Sequence, residues 1–301
     1  MIEVQQLVKR YGNVTAVNQV SFTAKKGEIV GLLGANGAGK TTTMRMLTGF
    51  MPPSAGTAKI CGYDVLNDSI EVRRRVGYLP ERVPVYPDMT VRGYITFWAK
   101  LRGYNQNTRI NEVLDQFQLT DRQHQLIRHL SKGLRQRLGL AQALVHNPEV
   151  VILDEPTIGI DPRQVIEVRE AVRALKEKHT VLFSSHILSE IEQVCDRVII
   201  IDKGKVVAEG TPEALSQKIM GQQQIFIVVA NAKPEAVIAN LKRLPKIDTV
   251  RAMDDGYLIT IQSKDDLRAN ISQTITQQGW TLLEMRVVDT RLEDVFLNLV
   301  K

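Results

Sequence analysis

GANGAGKTT, residues 34–42, decides how this chain is read. It follows the apolar run EIVGLL (28–33) and precedes a helix-like stretch over 43–49. Strand, glycine-rich loop and helix come in the order, and with the G-x-x-x-x-G-K-[ST] spacing, of a phosphate-binding loop. Glycines at 34, 37 and 39 let the backbone turn tightly, so that its N–H groups converge on phosphate oxygens. The following helix offers its electropositive N-terminus to the same anion. Lys40 reaches the terminal phosphates, and the Thr41 hydroxyl is a ligand for Mg²⁺. Asn36, Ala38 and Thr42 complete the candidate nucleotide-binding set. A glycine turn before an ordinary helix needs neither the lysine nor the threonine nor the spacing.

Composition sets the frame around that loop. The chain has 301 residues, 44% hydrophobic and 24% charged, as expected of a soluble protein with a substantial core. The net charge of +6 is spread along the chain and not gathered in one run, so it gives little reason to invoke nucleic acid. Cys61 and Cys195 stand alone, without metal-ligand spacing, which fits a reducing compartment. The opening MIEVQQLVKRYG has no apolar core or small-residue cleavage site, so no secretory leader is expected. No apolar run nears the roughly 18 residues of a membrane span. Work at a membrane would therefore be that of a peripheral subunit on its cytoplasmic face.

Outward from the loop the pattern is mixed. Residues 2–7 and 16–24 read as strands, with Tyr11 in the turn KRYGN between them. PPSAG (52–56) breaks the chain before strands at 57–60 and 76–79. From Thr90 to Leu130 apolar residues recur at helical spacing and strand signals vanish, marking a helical subdomain at about 85–145 inserted in an α/β core. Strands at 150–153, 180–184 and 197–202 alternate with helices at 164–178 and 188–195, which predicts a parallel sheet covered on both faces. A second domain is expected from residue 222 to 301, in the order β-α-β-β-α-β. Its expected parts include a hairpin turn at Asp254-Asp255-Gly256, a helix from Lys264 capped by Ser263, and a terminal helix from Thr290 with a capping box to Glu293. That order is the ferredoxin-like split βαβ arrangement.

Further residues carry chemistry. The run Val150–Leu153 ends in Asp154-Glu155. A carboxylate at the end of a buried strand beside a phosphate loop can hold Mg²⁺, and its neighbour can orient or deprotonate water. In LSKGLRQRLGLAQAL (130–144), Ser131 and Gly133 open a helix whose N-terminus is a second anion site or simply a Ser-capped end. His186 follows the strand at 180–184, and the Tyr11 ring could stack on a base.

In this order the motifs resemble the nucleotide-binding subunit of ABC transporters. GANGAGKTT resembles Walker A and VVILDEP resembles Walker B with its catalytic glutamate, Glu155. LSKGL, with Ser131, Lys132, Gly133 and Leu134, is similar to the family signature LSGGQ. Asp161 stands at the D-loop, His186 at the switch histidine and Tyr11 at the adenine-stacking aromatic. The likeness covers about residues 1–220. The tail TRLEDVFLNLV (290–300) and the small C-terminal domain resemble stand-alone ATPase subunits of bacterial type 2 exporters, among them drug, antibiotic, sodium-efflux and gliding-motility systems. Two departures stand out. Glu81 replaces the Q-loop glutamine and remains a candidate Mg²⁺ ligand with Thr41 and Asp154. Lys132 and Leu134 replace a glycine and the glutamine of the signature.

The resemblance implies an α/β fold. Its parts are a P-loop NTPase core with a mainly parallel sheet, an antiparallel N-terminal β subdomain, a helical insertion and the ferredoxin-like C-terminal domain. It implies ATP and Mg²⁺ as ligands, with Lys40, Glu155 and His186 as the catalytic set. It also implies a homodimer that encloses ATP, each signature completing the other chain's site, and a separate transmembrane permease as partner. A non-transport ABC ATPase acting on nucleic acid or the ribosome is the alternative, as is a nucleotide-binding regulator. The single cassette, and the roughly 90 residues without sustained heptads between Walker A and signature, count against the first. Glu155 and His186 count against the second.

Overall fold

The computed structural model describes residues 1–104, 106–219, 223–253, 255–261 and 266–288. In chain order the first elements are β1 (Ile2–Tyr11), β2 (Val14–Ala24), β3 (Ile29–Leu33), α1 (Lys40–Leu47), β4 (Ala55–Ile60), β5 (Tyr63–Asp64), α2 (Ser69–Arg75) and β6 (Val76–Leu79). The helical insertion follows with α3 (Val91–Leu101), α4 (Asn107–Gln116) and α5 (Lys132–Leu144). Then come β7 (Val150–Leu153), α6 (Pro162–Leu175), β8 (Thr180–Ser185), α7 (Leu188–Val194), β9 (Arg197–Asp202), β10 (Lys205–Gly210) and α8 (Pro212–Ile219).

Two sheets carry this part of the chain. One is antiparallel, in the order β2-β1-β4-β5. The other has the order β10-β9-β3-β8-β7-β6, parallel throughout except for β10 at its edge. Every residue of β3, β7 and β8 is buried, which is why these strands read as unbroken apolar runs and not as alternations. One apolar core joins the sheets, with Ile2 and Val4 of β1, Val30 and Leu32 of β3, and Met44 and Leu47 of α1 packed together. β3 thus lies inside the sheet, and the phosphate loop leaves its C-terminal end, where open α/β sheets place their ligands.

The structure differs from the sequence reading in a few places. β1 continues through Tyr11, which ends a strand and does not sit in a turn. Register shifts between Val4 and Arg10, and a positive φ at Gln6, break the apolar alternation and hide the strand's second half. α1 begins at Lys40, because Gly39 at φ 107° ends the loop and caps the helix in one residue. β10 has no counterpart in the sequence reading. It pairs back on β9 through a turn with positive φ at Lys203 and Gly204, a two-residue hairpin whose second position suits glycine.

The chain divides into two compact units, Met1–Pro212 and Glu213–Lys301. The second contains β11 (Gln223–Ala230), α9 (Pro234–Leu241), β12 (Ile247–Met253), β13 (Gly256–Ile261), α10 (Arg268–Gln277) and β14 (Thr281–Val288). Its sheet order is β12-β13-β11-β14, with every neighbouring pair antiparallel. β11 and β12 therefore run parallel with β13 between them, the split βαβ topology of ferredoxin-like folds. Ile225, Ile227, Ile259 and Ile261 of the sheet bury against Val237 and Leu241 of α9 and Ile271 and Ile275 of α10. The expected Ser263 cap, Lys264, Asp254 of the hairpin turn, and the helix from Thr290 lie outside the described residues, and α10 starts later than the expected Lys264, at Arg268, with Asp266 and Leu267 not yet helical.

Candidate nucleotide site

The loop between β3 and α1 is pressed against the backbone around it. A Cβ on Gly34 would lie 2.4 Å from the Ile201 carbonyl oxygen, so only glycine fits there. Gly39 combines its left-handed φ with a similar approach, 2.6 Å, to the Ala16 carbonyl. The β9–β10 turn braces the loop from outside, where the Gly204 N–H donates to the Ala38 carbonyl at 2.9 Å.

Inside the loop, Lys40 is buried and donates to the carbonyls of Gly34 (2.6 Å) and Ala35 (3.3 Å). Its ammonium also lies 3.2 Å from Glu155 Oε1. The other Glu155 oxygen is 2.8 Å from His186 Nδ1. Glu155 has φ 49°, a left-handed conformation that strains a non-glycine residue by roughly 1–3 kcal/mol. Ser184 helps to hold it: its hydroxyl accepts from the Glu155 N–H at 2.9 Å and donates to Asp154 Oδ1 at 2.8 Å. Thr41 Oγ1 also donates to Asp154 Oδ1, at 3.1 Å. Asp154 is fully buried, and its second oxygen has no hydrogen-bond partner among the described residues. Burial pushes its pKa up, against the pull of the Ser184 and Thr41 hydrogen bonds.

Of these groups Lys40, Thr41 and Glu155 border a cavity of about 270 Å³. Its walls are Ala16, the loop residues from Ala35 to Thr42, Glu81, Glu155 and Ile158. Ser131, Lys132, Gly133 and Leu134 are not among them. They lie at the start of α5, where the Ser131 hydroxyl accepts from the Leu134 N–H at 3.3 Å and caps the helix. Gly133 is packed so tightly on Gln164 of α6 that a Cβ would meet its Oε1 at 1.7 Å, and Lys132 Nζ occupies the space beside Gly159. Asp161 caps α6, accepting from the N–H groups of Arg163 and Gln164, both at 3.1 Å. Tyr11 is half-exposed outside the cavity lining; its hydroxyl meets Met51 Sδ at 3.1 Å and Lys9 Nζ sits 5.6 Å from its ring centre. The loop, Asp154, Glu155, His186 and Glu81 are therefore brought together, whereas Tyr11 and the signature are apart from them.

Residues 17–158 match the ABC transporter family. The linearmycin resistance ATP-binding protein of Bacillus subtilis is 34% identical, over 99% of this chain and 98% of that protein. The chain belongs to the ABC transporter ATP-binding proteins. The bacitracin transport ATP-binding protein of Bacillus licheniformis is also 34% identical, over 100% of this chain and 97% of that one. A solved ATP-binding subunit of an ABC transporter superposes with a TM-score of 0.67 at 31% identity, covering 73% of this chain and 93% of its own. As an ABC ATPase, the protein binds and hydrolyses ATP.

In this ABC ATPase the donor set suits Mg²⁺. Thr41, Asp154 and Glu81 offer hard oxygen ligands, and the buried, unpartnered Asp154 Oδ2 is an acceptor awaiting a positive charge. Two features of the site escaped the sequence reading. Ser184 stands two residues before His186 in β8, and its role shows only once β7 and β8 pair side by side. Glu190 is buried and accepts from Thr157 and Ser185, both at 2.7 Å, tying the segment after Glu155 to α7. A glutamate on a short helix carries no sequence signal for such a role.

Proposed function

We propose that this protein is the ATP-hydrolysing subunit of an ABC export system. It drives a separate transmembrane permease through ATP-dependent dimerisation, at the cytoplasmic face of the membrane. Residues 1–221 form the nucleotide-binding domain and 222–301 an accessory domain. The observation that carries this reading is the one-sided cavity, with phosphate-loop and Walker B groups on its walls and no signature residue. Relatives named for linearmycin resistance, bacitracin transport and Nod factor export support the export assignment. No helix among the described residues is long and apolar enough to cross a membrane.

Thr41 and Asp154 would hold Mg²⁺, with Glu81 as a further ligand. When bound, the ion offsets charge on the phosphoryl group being transferred. The protein's own groups do the rest. Loop N–H groups and Lys40 bind the phosphates, and Tyr11 stacks on adenine. At rest Lys40 is shared between two carbonyls and Glu155; phosphate oxygens compete for the same ammonium and release the carboxylate. Glu155 then takes a proton from water as the water oxygen bonds to the γ-phosphorus and ADP leaves. His186, already on Glu155, contacts the γ-phosphate. Ser131, Lys132, Gly133 and Leu134 of a second copy close the open side, with Asp161 at the same interface.

The permease docks beside the segment 83–98. Tyr86, Phe97 and Trp98 form part of a run of edge-packed rings there, and Tyr86 and Phe97 remain exposed. Tyr94, by contrast, is fully buried with its hydroxyl on the Pro84 carbonyl, and so belongs to the core of the insertion. Size-exclusion chromatography of Glu155→Gln tests the dimer. The variant is expected to run as a dimer with MgATP and as a monomer without it; a monomer at saturating MgATP would overturn the reading.

A further inference from the structure

The sheet of the second unit ends in an open edge. Among the described residues β14 pairs with β11 alone, so its other side is unpaired. The strand is long, Thr281–Val288, and reads TLLEMRVV. It holds neither proline nor lysine, two of the residues with which natural edge strands discourage pairing. A single register shift leaves Leu283 without a partner on β11. Leu283 is 64% exposed and Val287 38%, so apolar side chains stand in water beside an unpaired backbone. Between them Glu284 and Arg286, both exposed, form an ion pair at 2.9 Å. Arg286 also lies 4.9 Å from the ring centre of Phe226.

Such an edge takes another strand, and the side chains select which one. Two copies of one strand that meet antiparallel about a twofold axis must be centred on a residue. Hydrogen-bonded and non-hydrogen-bonded pairs alternate along the ladder, and the axis has to return each pair to one of its own kind. Centring on Glu284 or on Arg286 sets like charges face to face, which opposes pairing. Centring on Met285 sets Glu284 opposite Arg286 of the second copy, Leu283 opposite Val287, and Leu282 opposite Val288. By symmetry each of these favourable pairs forms twice. We infer that β14 pairs with β14 of a second copy in this register, joining two four-stranded sheets into one of eight strands.

The contact takes its consequence from the ATP-dependent dimer proposed above, and in that respect rests on it. Seven residues of edge pairing bury less than the roughly 1,200 Å² of a stable interface, so the strands do not hold the nucleotide-free chain as a dimer. Combined with closure of two cassettes on ATP, they supply a second link. When one contact opens the other still holds the copies together, and reclosure becomes an encounter within one particle. None of the described residues of the second unit lines the nucleotide cavity, yet that unit lengthens the life of the ATP-bound dimer.

The test uses the full chain carrying Glu155→Gln, held with MgATP. Addition of Met285→Cys and oxidation with copper phenanthroline should give a disulfide-linked dimer, because opposed residues of an antiparallel pair have Cα atoms about 4.5–5.5 Å apart. The parent, with Cys61 and the buried Cys195, should give none. Val287→Cys should not link to itself, its two copies lying about 14 Å apart along the ladder, but should link to Leu283→Cys. Arg286→Glu and Glu284→Arg should each shorten the lifetime of the MgATP dimer about tenfold. Mixed in equal amounts, the two should regain most of the parent's lifetime, since opposite charges then face each other between chains while the like charges within each chain remain. Damage to the fold of either variant would not be repaired by mixing. Absence of the crosslink at 285, or lifetimes equal to the parent's in both charge variants, would overturn the strand pairing. So would protection of the β14 amides from hydrogen exchange at every protein concentration, which would show the edge covered within one chain. Failure of the parent to dimerise with MgATP counts instead against the ATP-dependent dimer, and the crosslink at high protein concentration without nucleotide then decides the strand pairing.

Discussion

Lys40 and Glu155 neutralise each other in the resting site, and each also serves a second set of partners. Replacing Lys40 with Ala would remove the proposed phosphate contact and leave the buried Glu155 carboxylate paired, among the described residues, with His186 alone. Nucleotide affinity measured by fluorescence titration should fall sharply; hydrolysis at the normal rate would refute the assignment of the loop. Glu155→Gln keeps the shape but loses the base, so turnover should drop about a hundredfold or more while binding persists. Gly34→Ala would push a methyl into the Ile201 carbonyl and should cost about 1–3 kcal/mol in urea unfolding, whether or not nucleotide is present. Sequence spacing located all these residues, because a phosphate loop is local and its chemistry dictates residue type. It treated the glycines alike, however. Only the packing shows that Gly34 is required by the strand beside it. Ser184 was not legible because its partners Asp154 and Glu155 lie about thirty residues away in the chain and become neighbours only through strand order, and of the two partners of Glu190 only Ser185 is near it in the chain, Thr157 being as distant.

At the scale of elements, buried parallel strands were the most readable part. β6 and β7 begin and end where their apolar runs do, and β9 extends its buried run of Val198–Ile201 by one charged residue at each end, since burial on both faces leaves no alternation to interpret. Irregular pairing was the least readable, as the bulged second half of β1 and the short hairpin to β10 show. A different consequence follows for the segment between α5 and β7. His146 is buried there, with Nε2 on the Val76 carbonyl at 3.1 Å and Nδ1 without a partner among the described residues. Burial, with the nearby charges of Arg102 and Arg109, holds its pKa down at about 4. A histidine depressed in the folded state is neutral there while the unfolded chain, near pH 6.5, takes up the proton. Its contribution is therefore full above about pH 6.5 and lost as the pH falls towards 4, on the order of 3 kcal/mol in all. Urea unfolding at pH 7.5 and pH 5 should show this loss in the native protein and a smaller one in His146→Gln, which keeps a donor for Val76 but does not titrate. An equal acid sensitivity in both would remove His146 as its source.

At the scale of the molecule, two cores are built separately, one beneath the nucleotide loop and one within the ferredoxin-like sheet. A chain ending at residue 221 keeps every group of the nucleotide cavity. It should fold and show a thermal shift with MgATP, and failure to do so would make the second unit essential to the first. The remaining feature is the open side of the site. Ser131 and Gly133 sit at a helix start that does not line the cavity, and one chain carries only one copy of each. The most direct test is ATP turnover by Ser131→Arg alone, by Lys40→Ala alone, and by the two mixed. Each variant should be inactive by itself and the mixture should hydrolyse ATP, because one chain's intact loop meets the other's intact signature. Hydrolysis at the native rate by Ser131→Arg alone would contradict it, since a single chain would then hold a complete site.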